Sequence, residues 1–197
     1  MIRASISGRR AACLAALGLL AGCAGMPPPQ EARLPEAQGA AAILDPTRQA
    51  IFHASSAFAS RTPMAGRPAE AAQAISEAEF LAVELRTHSR WTEMSPLVTI
   101  GFEQARPEWR AALGIDPNAP PQAVIDALTR VRLAFGGQDP AAAAAALAPP
   151  LFTPGGQAAL ARLAALPPLP RTARAASMAE RELWRIQRDG GRDRRWP

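Results

Sequence analysis

PAEAAQAISEAEFLAVELRTH, residues 68–88, is the stretch on which the fold depends. Ala71, Ile75, Ala78, Ala82 and Leu85 recur at spacings of four and three, which places them in one buried stripe of an α-helix. Phe80 and Val83 form a second apolar patch, so this helix has neighbours on two sides and forms the centre of a bundle. Glu70, Glu77, Glu84 and His88 share a further face. It reads as a solvated face, on which a Glu84–His88 pair four residues apart adds a few tenths of a kcal/mol.

Outward from this helix the punctuation is regular. Asp45-Pro46, Ser95-Pro96, Asp139-Pro140 and Thr153-Pro154 each set a capping side chain before a proline. Proline tolerates the first helical turn because its missing N–H has no partner there, and Asp, Ser and Thr accept from the amides that follow. The spacing predicts helices over 46–60, 96–114, 121–135, 154–166 and 171–189, beside the central one. Ile51, Ser55 and Phe58 share a face of the first. In the 96–114 helix Val98, Phe102, Ala105, Trp109 and Leu113 carry one stripe across Pro107, which predicts a kinked helix or two short ones in line. Val124, Leu128, Val131 and Phe135 line the next, with Asp126 and Arg130 pairing outside it. The alanine run 141–146 is either a short wedged helix or a low-complexity surface piece. Leu160 and Leu163 mark the next helix, and Ala176, Ala179, Leu183 and Ile186 the last. No segment alternates with period two, so strands are not expected. The fold class that follows is all-α, a small bundle of about five to seven helices over residues 45–190.

The first 22 residues have a different character. Arg3, Arg9 and Arg10 give a basic start, and Ala11 to Leu20 form an apolar run of about ten residues, short of the ~20 needed to span a bilayer. Leu20-Ala21-Gly22-Cys23 closes it. This arrangement resembles the lipobox of bacterial lipoprotein precursors. The resemblance covers only the first two dozen residues. It implies cleavage between Gly22 and Cys23 and a diacylglycerol thioether on Cys23, usually with a further acyl chain on the new amine. Two or three fatty chains make such an anchor effectively stable, each buried CH2 contributing about 0.8 kcal/mol. Ala24, rather than aspartate, stands after the cysteine, which by the family's sorting rule implies the outer membrane, facing the periplasm, before the inner. Arg9-Arg10 lacks the apolar residues of a twin-arginine signal, which favours general secretion. Residues 23–44, rich in Pro, Ala, Gly and Gln, read as a flexible tether with an rms span of about 25 Å.

Cleavage leaves 175 of the 197 residues and lowers the formal charge from +5 to +2, because three arginines and no acid depart with the leader. The basic balance is therefore no argument for nucleic acid as a partner. Cys13 leaves and Cys23 carries lipid, so no disulfide is expected and packing alone must stabilise the domain. There is no lysine through which the chain could be cross-linked to peptidoglycan.

Chemistry is sparse. His53 and His88 lie on different helices outside any metal-ligand spacing, so neither a metal nor a cofactor is expected. His53 is too close in sequence to Ser55 and Ser56 to serve them as a base, there is no G-x-S-x-G elbow, and Gly155-Gly156 lacks the lysine and strand of a phosphate-binding loop. An enzyme is not expected. Arg181, Arg185, Arg188 and Arg192 recur at four, three and four residues, ahead of an Arg-rich tail over 191–197, and are candidate contacts to an anionic surface, although Glu182, Asp189 and Asp193 offset part of their charge. The first functional expectation is a membrane-anchored envelope protein whose helical domain is an interaction or scaffold unit for a protein partner. The alternative is a periplasmic binding module for a small apolar or anionic ligand, with a cavity lined by Phe80, Phe102, Trp109 or Phe135.

Overall fold

A computed structural model describes residues 30–35, 45–59 and 64–193, with side chains as far as Gly190. Leu20 to Cys23 and the tail beyond Asp193 lie outside the described residues, as does the Arg192 side chain. Seven α-helices make up the described fold: α1 (Pro46–Ala59), α2 (Pro68–Thr87), α3 (Pro96–Leu113), α4 (Pro121–Gly136), α5 (Pro140–Ala145), α6 (Gly156–Ala164) and α7 (Pro170–Asp193). A 3-10 turn, Ser89–Trp91, links α2 to α3. The described residues hold no strand and no cysteine, and the fold is an all-α bundle without disulfides. An isolated antiparallel bridge pairs Ile115 with Phe152.

The caps behave as their chemistry requires. Asp45 Oδ1 accepts from the Arg48 amide at 3.0 Å, Ser95 from Leu97 and Asp139 from Ala142. Thr153-Pro154 does not start a helix. The Thr153 hydroxyl donates instead to the Gly114 carbonyl at 3.0 Å, and α6 begins two residues later behind Gly155, whose φ is +82°. Gly114 ends α3 with φ +69°, the left-handed cap that glycine adopts at least cost. Pro107 stays inside α3, on its exposed side, and the helix continues through it. The alanine run forms the short helix α5, with Ala143 and Ala144 buried against its neighbours. Asp126 accepts from Gln122 at 2.7 Å rather than from Arg130.

α2 is the hub, packing against α1, α3, α4 and α6. Every residue from Ala74 to Leu85 is buried, including Ser76, Glu77, Glu79 and Glu84. Ala71, Ala72, Ala74, Ala78 and Ala82 let the surrounding helices approach closely. Of the face expected to be solvated, Glu77 and Glu84 are buried against α1, Glu70 is half-buried and His88 is exposed. α7 lies on the far side of α1 and α3 and packs on both. Residues 30–35, within the stretch read as a tether, run along the body. Leu34 and Ala32 pack on the core, and the Arg33 amide donates to Gln122 Oε1 at 2.6 Å.

Two glycines give opposite expectations. A Cβ at Gly156 would stand 2.3 Å from the Ala144 carbonyl oxygen, whereas one at Gly136 meets nothing within 4 Å. Gly156→Ala should therefore push α6 off α5 and cost about 1–3 kcal/mol, while Gly136→Ala should leave stability unchanged or raise it by up to ~1 kcal/mol. Urea unfolding of the two variants measures the contrast.

Candidate functional site

The most buried charged group among the described residues is Glu79, at 0 % exposure, four residues after Ile75 and three before Ala82. It receives Trp109 Nε1 at 2.8 Å and a two-pronged contact from Arg110, Nε at 2.7 Å and Nη2 at 2.9 Å. Arg110 spends its remaining prong on the carbonyls of Asp116, Pro117 and Ala119. One guanidinium thus ties α2 to α3 and holds the turn that leads into α4. Arg106 lies beside them, its Nε 3.6 Å from Glu79 and its Nη1 donating to Gln30 Oε1. Its buried Nε and Nη2 make no hydrogen bond. Burial lowers the Arg106 pKa from its ordinary value, and Glu79 opposes the shift. With each guanidinium nitrogen of Arg110 aimed at protein, the Glu79–Arg110 pair fastens helices to one another.

A second lock joins the start of α1 to the end of α2. Glu84 Oε1 receives Arg90 at 2.8 Å and Thr47 at 3.2 Å, and Arg90 also reaches Asp45 at 2.6 Å. Glu84 is consequently committed away from His88, which is exposed. The expected Glu84–His88 pair does not form because the chain turns at His88 and brings Arg90 and Trp91 back over the carboxylate.

His53 has a different partner, Glu77, with Nδ1 2.5 Å from Oε2. Gln73 Nε2 donates to the other Glu77 oxygen at 3.0 Å. The hydrogen bond to Glu77 raises the His53 pKa above its ordinary value; burial works against it, Glu70 adds to it and Arg132 opposes it. Ser55 donates to Glu180 of α7, so the serine and the imidazole share no partner. Glu77 and Gln73 border a cleft of about 790 Å3 between α1, α2 and α4, whose rim includes Gln49, Leu128, Arg132 and Leu133. Phe102 and Trp109, expected to line a cavity, are fully packed in the core, and Phe135 is half-buried against it. Phe80 borders a smaller cleft of about 420 Å3 beside residues 30–34. Among the described residues no cluster of His, Cys, Asp and Glu could hold a metal ion.

The arginines of α7 divide. Arg185 is bound by Glu182 at 2.8 Å, Asp189 at 3.1 Å and the Glu93 carbonyl at 2.8 Å. Its hydrogen bond holds the Glu182 carboxyl below the usual carboxylate range. Arg181 and Arg188 are exposed and form no ion pair among the described residues. Arg174 and Trp184, absent from the sequence-based set, flank them on the outer side; their spacing of seven and three residues from Arg181 was the signal. Comparison with family models, with curated proteins and with solved structures gave no match.

The buried pair predicts that Glu79→Gln, which strands the Arg110 charge, lowers unfolding free energy by about 3–5 kcal/mol, and that adding Arg110→Met recovers part of the loss. Denaturant titration of the cycle tests this. The His53 contribution has the sign of a raised pKa: it is fully present below the unfolded value near ~6.5 and is lost as pH rises through the folded value. Wild type should exceed His53→Gln in stability by more at about pH 5.5 than at about pH 8.5.

Proposed function

We propose that this chain is a lipoprotein of a bacterial envelope, anchored in the outer membrane through lipid on Cys23 and facing the periplasm, with its helical body serving as an interaction or scaffold domain for another envelope protein. The observation that carries the reading is Leu20-Ala21-Gly22-Cys23 at the end of a short apolar run behind arginines. Two features of the body agree with it. Its internal ionic contacts fasten helices to one another, and large apolar side chains stand exposed at Leu97, Ile100 and Leu133, positions suited to a partner. Among the described residues no helix is long and apolar enough to cross a membrane, so in this reading attachment falls to the lipid.

A small-ligand module is the second reading, favoured by the cleft beside Gln73, Glu77 and Arg132, whose volume lies in the range of small-molecule sites.

Fractionation of a bacterial host tests the first reading. The wild-type chain should enter the membrane fraction with an acylated Cys23 as its first residue by mass spectrometry, and Cys23→Ser should stay uncleaved and unacylated. A wild-type product that begins elsewhere, or carries a free thiol, would end the proposal. Mild cross-linking at native abundance should recover a second envelope protein, while a native mass spectrum with a bound small molecule would favour the cleft.

A further inference from the structure

The outward side of α7 carries a row of cations with no internal use. Thr172, Ala175, Ala176, Ala179 and Leu183 are buried, facing α1 and α3. On the opposite side stand Arg174, Arg181 and Arg188, all exposed and each seven residues from the next. Seven residues are two helical turns, so the guanidinium stems rise about 10.5 Å apart along one line. Among the described side chains no acid of the same helix pairs with them. Glu180 accepts from Ser55, while Glu182 and Asp189 are taken by Arg185.

Trp184 stands at the edge of this row, three residues after Arg181 and four before Arg188, with 47 % of its surface exposed. Its ring leans on Phe52 of α1, centroids 5.4 Å apart at 55°. Packing on one flank fixes the indole and leaves the other flank open. An amphipathic ring held beside long, snorkelling arginine stems is the side-chain set that settles at a headgroup interface.

We propose that this face of α7 docks on anionic lipid headgroups and lays the helical body against the membrane to which the chain is attached. The inference rests on the lipid-anchor reading for proximity alone. Gln30 is hydrogen-bonded to Arg106 on the body, and seven residue steps separate it from Cys23. Those steps span at most about 25 Å, so an acylated Cys23 keeps the bundle within its own width of the surface. At that range weak charge–headgroup contacts become intramolecular and are populated. Evenly spaced cations on flexible stems suit a smooth, laterally mobile anionic surface better than the fixed, irregular pattern of one acidic protein.

The mature protein, purified from membranes and reconstituted into vesicles, tests the proposal. Vesicles of equal parts phosphatidylglycerol and phosphatidylcholine are compared with phosphatidylcholine alone, each with brominated acyl chains. The quenching signal of Trp184 is the difference between wild type and Trp184→Phe. It should be strong on the anionic vesicles, weak on the neutral ones and reduced by added salt. Arg181→Gln and Arg188→Gln should each lower the docked population about fivefold, and the double variant about 25-fold. Equal quenching on both vesicles, no quenching on either, or an undiminished signal in the double variant would overturn it, as would protection of Trp184 by an acidic protein without lipid contact. The mass at Cys23 is read on the same sample. If the thiol is free, the anchor reading fails, and the same chain is scored by co-sedimentation with phosphatidylglycerol vesicles. Binding that needs Arg181 and Arg188 would then sustain the α7 surface on its own.

Discussion

A single ion pair, Glu79 with Arg110, stands at the point where three parts of the chain meet. A carboxylate with no solvent exposure is tolerable only when every lone pair it presents is answered, and Trp109 and Arg110 answer from one turn of α3. Arg110 then holds three backbone carbonyls of the turn into α4. The helix register of α2 against α3 and the direction in which α4 departs are thus fixed by the same guanidinium. A hydrophobic substitute could fill the space, but it could not hold those carbonyls.

The rest of the architecture follows from the burial of α2. Its alanines remove bulk on all sides, so α1, α3, α4 and α6 can close around it. Small side chains bury little area each, and the bundle offsets this with close approach and internal polar locks. Glu77, Glu79 and Glu84, within about two turns of one another, are each assigned to a different neighbour: His53 of α1, Arg110 of α3, and Arg90 of the following turn. Such contacts are specific about which helix goes where, a role that a uniform alanine surface cannot perform.

Polar chemistry is accordingly divided between two places. Glu77, Glu79 and Glu84 are buried and consumed by neighbouring elements, whereas Arg174, Arg181 and Arg188 stand on the outer side of α7. Glu182 and Asp189 both turn to Arg185, which also reaches the Glu93 carbonyl. Arg181 and Arg188, one turn away on either side, are left facing solvent.

Local sequence determined much of the secondary structure. The 3.6-residue periodicity of residues 68–88, the Asp-Pro and Ser-Pro caps and the lack of alternating segments suffice for an all-α fold, since they act within a few residues of chain. So does the stripe of α3, which identifies its core residues across Pro107. The partners of the acidic face could not be read there, because a helix reports which side is polar but not what will cover it. Glu79 could have been singled out, lying within the apolar stripe between Ile75 and Ala82, but its cation, Arg110, is 31 residues away. The separation of Arg185 from Arg181 and Arg188 depends on which groups the tertiary fold brings within a few ångströms. Local spacing chose the helices, and long-range contact chose which charges they keep.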